Sequence, residues 1–563
     1  MLGILTKRRW HVIILSVLTL AMVLPGLASL PVIDRDEARF AQASVQMADS
    51  NDLLNIRLQD EARNKKPAAA YWAQTVMIKV FSRDGENRIW AQRLPSALAA
   101  LLTILALYWG GLRMVGRNAA LIGCALLTTS LIFVFEGHIA KTDALLCAST
   151  TLIFASLGRL RTGANISEVW IFWAALGASI MIKGPIGPLL AMLSLLSLFI
   201  WERDLSWARP LINWGAILLF ILIWLPWGIA MYVVTDGAFY MESLGKDFGG
   251  KVVSGQESHG APPGSHSLAI WATLWPASLF LLPGLAYAGR SATSKTKNPI
   301  TRSMRLMLCW AVPFWLLIEI MPTKLPHYGL PVFPTLCLIM GTGILAMSQT
   351  NGFAKTRFFG GLFFMIGTTL VLGAVLFAQS LYGDTNEALP AYVICGLSGA
   401  LAVLAGFSLW GNKIRVSVSA ALLSSIIVMM GAYAYILPHL TAFKTSERLA
   451  AEIGRFAPNT KSGAIHSPHY REPSLIYHVG TNINLKSGDI DLSEGKLIIL
   501  NALREDADTV NQTLIRSAEK EGKCLEKSEP VDGFNYSKGV PLSLFVLKVG
   551  PCEVSPHKRR PKR

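Results

Sequence analysis

Asp34-Arg35-Asp36-Glu37-Ala38-Arg39-Phe40, followed by Asn64-Lys65-Lys66-Pro67, sets carboxylates, arginines and lysines between the first two apolar segments of the chain. Further groups recur at the ends of later apolar runs: Glu136, His138, Lys141 and Asp143; Lys183; His259 and His266; Lys324, His327 and Tyr328. Lysines and arginines converging from separate loops can hold a phosphate, the guanidinium as a bidentate fork and the ammonium as a point charge. A carboxylate among them can act as general base or orient an acceptor. These residue types together suit transfer of a group from a phosphate-linked lipid to an acceptor at a membrane surface. Each also has a plainer reading. An Asp-Glu pair at a helix start caps it, a lysine at the end of a span snorkels, and a loop histidine is a surface residue. Chemistry is favoured because caps and snorkelers have no reason to gather on one face.

The elements that must position them are membrane helices. The 563 residues are 52% hydrophobic and 16% charged, outside the soluble balance. A helix needs about 20 apolar residues to cross a bilayer. Stretches that qualify lie near 11–30, 91–112, 119–135, 143–158, 168–182, 185–201, 211–233, 268–289, 305–321, 328–347, 358–379, 390–410 and 416–437, thirteen in all. The run 168–201 is read as two helices turning at Lys183-Gly184-Pro185, because that choice satisfies the positive-inside rule. It places Arg203, Arg209, Arg290, Lys295, Lys297, Arg302, Arg305, Lys355, Arg357, Lys413 and Arg415 on one side, against Lys246, Lys251 and Lys324 on the other. The N-terminus is then cytoplasmic and the C-terminus outside, which for a bacterial inner membrane is the periplasm. Residues 1–30 share a basic start and small residues at Ala28-Ser29 with signal peptides, but the apolar run is of spanning length and reads as a retained first span.

Two regions fall outside: residues 31–90, within a transmembrane domain 1–439, and a tail 440–563. Asp34 is expected to cap a helix with Glu37 three residues on, with Phe40, Ala41, Ser44, Val45 and Ala48 on one face. A second short helix is expected over 67–81, opened by Pro67 and lying along the interface. The tail reads as a mixed α/β domain, with helices at 445–456 and 505–521 and strands at 474–479, 496–500 and 542–549. Five cysteines fall in spans; Cys524 and Cys552 lie in the tail, where an oxidising compartment permits a disulfide that sequence alone does not pair. Part of the net charge of +16 is the terminal Lys558-Arg559-Arg560-Pro561-Lys562-Arg563, read as a solvated end rather than a lipid-binding patch. No Walker sequence or strand-GxGxxG turn is present, so neither ATP nor a cytosolic nucleotide sugar is indicated, and the external location excludes nucleic acid.

With these motifs on the page, the chain resembles the polytopic lipid-linked glycosyltransferases of GT-C type, the group that includes the aminoarabinose transferase of lipid A and the protein O-mannosyltransferases. Asp36-Glu37-Ala38-Arg39-Phe40 is similar to that family's Asp-Glu-x-Arg-Tyr/Phe signature. Lys66-Pro67 with Tyr71-Trp72 resembles its Glu-Lys-Pro-Pro segment ending in Tyr-Trp, and Arg93-Leu94-Pro95-Ser96 its Arg-x-Pro-Ser. Lys183-Gly184-Pro185-Ile186-Gly187 resembles its Thr-Lys-Gly-Pro-Val-Gly turn, and the run Lys324 to Pro331 its Lys-Leu-Pro-x-Tyr-x-Leu-Pro.

The resemblance implies an inverting transferase using a polyprenyl-phosphate sugar, undecaprenyl in bacteria, at the periplasmic face. The acceptor would be lipid A or lipopolysaccharide core. Asp36 would be the leading catalytic carboxylate, with Asp143 a second and Glu37 beside it. Arg39, Lys66, Lys183, Lys324 and Tyr328 would surround the donor phosphate. In the lipid A branch an acid before the lysine, with a histidine before span eight, looks like a metal site. Here that acid is Lys65, whose ammonium disfavours a divalent cation, leaving His259 and Glu61 as the remaining candidate ligands. Two alternatives stand beside this reading: a protein O-mannosyltransferase, and a non-enzymatic flippase of lipid-linked intermediates.

Overall fold

The computed structural model describes residues 8–82, 88–163, 165–250, 260–296, 298–350, 352–383, 388–486, 488 and 490–552. Apolar helices dominate up to residue 439. In order they are Arg8–Val23, Ile89–Met114, the pair Arg117–Thr128 and Leu131–Gly137, Asp143–Arg161, Ser167–Lys183, Ile186–Glu202 and Trp214–Val234. Then follow the pair Ser265–Thr273 and Ala277–Ala292, Pro299–Ile320, Pro326–Met347, Ala354–Tyr382, Ala388–Trp410 and Ile414–His439. All thirteen expected segments are therefore helical, but among the described residues length and apolarity alone qualify eight as spans, or ten when each bent pair counts as one. The shortfall has local causes. The two pairs bend by 65° and 115°, and Arg8–Val23, Ser167–Lys183 and Ile186–Glu202 are 16 or 17 residues long, a length that spans only with thinning or snorkelling.

The turn that decides the topology is present. Lys183 ends one helix, Gly184 sits at φ 68, and the next helix starts at Ile186. Such a backbone favours glycine, which has no Cβ to clash. The helices pack closely through small residues: a Cβ on Gly123 would lie 2.7 Å from the Cys337 carbonyl oxygen, and one on Gly341 2.3 Å from that of Ala119. Close backbone approach is how helices associate in lipid, where burial of apolar surface supplies no driving force. The Asp143–Arg161 and Pro326–Met347 helices are the most enclosed, whereas Trp214–Val234 shows most of its surface to lipid.

Outside the bundle, helix Asp36–Ser50 lies against helix Ala69–Phe81, with Phe40 stacked on Tyr71 at 4.7 Å. Both short helices were expected, but the cap was not as expected. Arg35, at φ 68, is the N-cap residue and makes no side-chain cap, while Glu37 Oε2 accepts the Ile33 N–H. Asp34 instead accepts the Ser474 N–H from the C-terminal domain at 2.8 Å. Between the two helices, β1 (Arg57–Leu58) and β2 (Glu61–Ala62) form a two-residue hairpin.

The C-terminal domain is built on one sheet of β3 (Ile465–His466), β4 (Leu497–Asn501), β5 (Lys523–Lys527), β6 (Val531–Asn535) and β7 (Val540–Pro551). Its order is β3-β4-β7-β5, with β6 also pairing β7; β3–β4 is parallel and the rest antiparallel. Side chains alternate between faces, as a strand demands. Leu497, Ile499, Leu544 and Val546 join helices Thr445–Phe456 and Pro473–Val479 in one core, and Ile498, Leu500, Phe545 and Leu547 meet helix Ala507–Lys520 in another. The segment 474–479, expected as a strand, is the helix Pro473–Val479: Pro473 stands at a helix-opening position and Leu475, Ile476 and Tyr477 are buried. Cys524 and Cys552 form a disulfide, and the other five cysteines are free and buried. The basic residues 558–563 lie outside the described residues.

This domain docks on the external helices through polar contacts. Tyr477 donates to Gln92 Oε1 at 2.8 Å, Gln42 Nε2 donates to Thr481 Oγ1 at 2.9 Å, and the Asp34 N–H donates to the Tyr536 hydroxyl. Burial at this seam pushes the Asp34 carboxyl up to about 6, against the Ser474 hydrogen bonds that pull it down.

Candidate functional site

The site starts from a buried anchor. Arg93 is fully enclosed and forks onto Glu37, Nε to Oε1 and Nη2 to Oε2, both at 2.8 Å. Its remaining hydrogens go to the carbonyls of Leu27, Leu30 and Pro31. Glu37 also accepts the N–H groups of Ile33 and Ala140. One ion pair thus ties together the end of the first span, the start of helix Asp36–Ser50, span two and the loop before Asp143. With both oxygens saturated and no surface exposed, Glu37 has no lone pair for an acceptor; its expected place among the catalytic carboxylates is corrected to that of an anchor. Asp36 precedes it by one residue, about 100° around the helix, and is exposed on the wall of a cavity.

Two adjoining cavities meet at the residues the sequence singled out. The first, about 280 Å³, is walled by Leu146, Ile186, Leu189, Phe314, Leu317 and Ile318 among other apolar groups. The second, about 130 Å³, is polar, with Asp36, Arg39, Arg63, Lys141 and Asp247 in its wall. Lys65, Lys66, Asp143, Lys183, His327 and Tyr328 line both.

Around the junction the charges form a chain. Asp143, in the first turn of its helix, pairs with Lys183, with Lys141 at 3.4 Å and with His327 Nε2 at 3.7 Å. Glu136 takes Lys141 at 3.1 Å and faces His327 Nδ1 at 3.6 Å. Lys183 Nζ also lies 5.9 Å from the centre of the Tyr328 ring. Lys66 pairs with Asp247, from the helical stretch Met241–Gly249, and Ser243 of the same stretch donates to the Lys65 carbonyl. Arg63 donates to the Tyr71 hydroxyl at 3.1 Å and covers the Phe40 ring. Between the helices, Lys141 is held charged: burial lowers its pKa, but Glu136 and Asp143 raise it by more.

Asp36, Arg39, Lys66, Asp143, Lys183 and Tyr328 are therefore brought together, as expected. Lys324 is not. Its ammonium donates to the carbonyls of Ile318, Glu319 and Met321, closing the C-terminal end of helix Pro299–Ile320, and the neighbours Thr323 and Leu325 face the polar cavity in its stead. His259 lies outside the described residues, and Glu61 is exposed on β2. Arg63 and Asp247 were not singled out in the sequence. Arg63 lies three residues before Lys66 in the same stretch, but Asp247 sits in the short helical stretch Met241–Gly249, where only its basic neighbours stood out in the sequence.

Glu136, Asp143 and His327 offer three ligand atoms within 4.8 Å of one another. Their carboxylates, however, already carry Lys141 and Lys183. A divalent cation would have to displace two ammonium groups, so this donor set does not fit a metal.

The Dolichyl-phosphate-mannose-protein mannosyltransferase family model matches residues 65–229, the stretch from Lys65 to within helix Trp214–Val234. The fold matches a crystal structure of ArnT from Cupriavidus metallidurans bound to undecaprenyl phosphate with a TM-score of 0.71 at 17% identity, over 95% of this chain and 98% of that one. The chain has the GT-C fold of the lipid-linked glycosyltransferases. The undecaprenyl phosphate-alpha-4-amino-4-deoxy-L-arabinose arabinosyl transferase of Aeromonas hydrophila is 24% identical over 398 residues, 68% of each chain. The Archaeoglobus fulgidus oligosaccharyltransferase shares the GT-C fold more distantly, with a TM-score of 0.53 at 10% identity over 88% of this chain and 70% of that one.

Proposed function

We propose that this protein is an inverting glycosyltransferase that takes a sugar from undecaprenyl phosphate and places it on lipid A or the lipopolysaccharide core at the periplasmic face of the inner membrane. The observation that carries this reading is the pair of cavities: an apolar one opening onto a polar one through Lys66, Lys183 and Tyr328. That is the shape of a lipid phosphate, with the tail against Leu146, Leu189 and Phe314 and the phosphate at the basic junction. The named Aeromonas relative acts on an undecaprenyl-phosphate donor, and the Cupriavidus structure holds undecaprenyl phosphate. Arginines in the loops at the opposite end of the bundle support the orientation.

In this mechanism the acceptor oxygen attacks the anomeric carbon from the side opposite the phosphate. The carbon–oxygen bond to phosphate breaks, leaving polyprenyl phosphate, and the acceptor proton passes to Asp36. The leaving phosphate needs charge stabilisation more than a proton, which Lys66, Lys183 and Arg39 supply from fixed positions. Asp143 acts as a positioning group: paired with Lys183 and Lys141 and beside His327, it holds those side chains toward the junction. No step passes through a metal.

Purified protein given a radiolabelled sugar on undecaprenyl phosphate and lipid A should release undecaprenyl phosphate and label the lipid A. Label on a secreted protein instead, with none on lipopolysaccharide, would favour protein O-mannosylation, the reading suggested by the family model over 65–229. Transfer to neither would contradict the proposal.

A further inference from the structure

A third cavity, about 250 Å³, lies at the opposite end of the same helices. Asp143 opens one helix at the catalytic junction and Arg161 ends it, about 27 Å away at 1.5 Å per residue. Arg161 and Glu202 meet in the wall of this cavity, the latter at the end of helix Ile186–Glu202. Arg302 and Arg305, in the first turns of helix Pro299–Ile320, complete a group of three arginines. Glu202 is shared: both its oxygens take Arg161 Nη2 at 2.6 Å, and Oε1 faces Arg305 Nη1 at 3.4 Å. Asp204 is turned to the backbone N–H of Ser206. Three guanidiniums against two carboxylates leave one positive charge in excess.

The hydrogen-bond inventory is incomplete in the same direction. Arg161 is 8% exposed, yet its Nε and Nη1 have no hydrogen-bond partner, and neither has Trp207 Nε1 in the same wall. The Arg161 guanidinium lies 5.3 Å from the Trp207 ring centre, a cation–π contact that satisfies neither N–H group. Buried donors of this kind ordinarily find acceptors. The surroundings are those of a membrane boundary: Trp201, Ile200, Ile212 and Trp214 are exposed nearby in sequence.

We propose that this cavity binds one phosphate-bearing headgroup of an anionic phospholipid, at the membrane face opposite the catalytic junction. The phosphate accepts from Arg302 and from the unpartnered N–H groups of Arg161 and Trp207, while the acyl chains lie along the exposed apolar faces of helices Ile186–Glu202 and Trp214–Val234. Basic pockets between helices on the cytoplasmic side are the setting in which such headgroups are held.

Native mass spectrometry of the full-length protein, titrated with phosphatidylglycerol, phosphatidylcholine or inorganic phosphate, tests this. Wild type should bind a single phosphatidylglycerol in preference to phosphatidylcholine. Arg302→Gln, at an exposed position, should weaken that binding about fivefold, and Trp207→Phe, which removes one N–H donor, by about the same factor, with the melting temperature unchanged. Inorganic phosphate binding that responds to Arg302→Gln, without any preference for phosphatidylglycerol, would overturn the lipid assignment. Equal affinity of wild type and both variants for all three probes would overturn the site.

Discussion

Replacing Lys183 by Met removes the charge at the junction of the two cavities and separates its structural role from the chemical role proposed for it. Its ammonium pairs with Asp143, and both side chains are at most 10% exposed. Removing one partner of a buried pair costs about 3–5 kcal/mol when the other is left bare. Asp143 is not left bare, because Lys141 at 3.4 Å and His327 at 3.7 Å remain, so a loss nearer to 1–2 kcal/mol is expected, the scale of a single buried hydrogen bond. The effect on transfer should be larger. Losing one fixed donor to a developing anion costs about 10²–10³ in rate, or about 3–4 kcal/mol. The assay is kcat for transfer from the undecaprenyl-phosphate donor, with thermal melts in detergent alongside. Lys183→Arg should keep most of both. The double variant Asp143→Asn, Lys183→Met should recover stability but not rate. A Lys183→Met protein within tenfold of wild-type kcat would refute the argument, and so would a double variant that regains activity.

Glu37→Ala should lower stability by about 3–5 kcal/mol, since it strands the enclosed Arg93, and the readout is a fall in melting temperature and in membrane-inserted yield. A normally stable but inactive Glu37→Ala would restore Glu37 to the chemistry. Leu189→Trp should fill the apolar cavity and raise KM for the undecaprenyl donor, with little change for a short-chain donor. Equal effects on both donors would remove the tail from that cavity. The docking of the C-terminal domain should depend on pH through Asp34. Its carboxyl is raised from 3.8 to about 6 in the folded state, so the folded protein holds the extra proton, and stability falls as pH rises from about 4 to about 6. The whole change corresponds to about 3 kcal/mol. Limited proteolysis across that range should show release of the domain at higher pH in wild type and a flat profile in Asp34→Asn.

Much of this site could be read in the sequence because membrane topology sorts residues by side. Once Lys183-Gly184-Pro185 was a turn, Asp36, Lys66, Asp143, Lys183 and Tyr328 had to share one face, and the structure puts all five on the walls of adjoining cavities. What escaped was direction. Glu37 and Asp36 are neighbours in sequence, yet one helical step turns Glu37 into the core onto Arg93 and leaves Asp36 facing the cavity. Lys324 is on the expected face, but the carbonyls ending helix Pro299–Ile320 claim its ammonium first. Asp247 could not be inferred, because its pairing with Lys66 bridges 181 residues and no sequence pattern links the two segments. In the tail, short apolar runs marked β4 and β7, whereas the similar run at 474–479 could not be told from a helix by pattern alone.

The central claim is that Asp36, exposed on the polar cavity beside the cationic junction, activates the acceptor. Transfer from the undecaprenyl-phosphate sugar by Asp36→Asn, with melting temperature and donor binding measured on the same preparation, tests it most directly. The account predicts a loss of about 10²–10⁴ in kcat with fold and donor affinity retained. An Asp36→Asn enzyme that turns over within about threefold of wild type, well short of that loss, would contradict it.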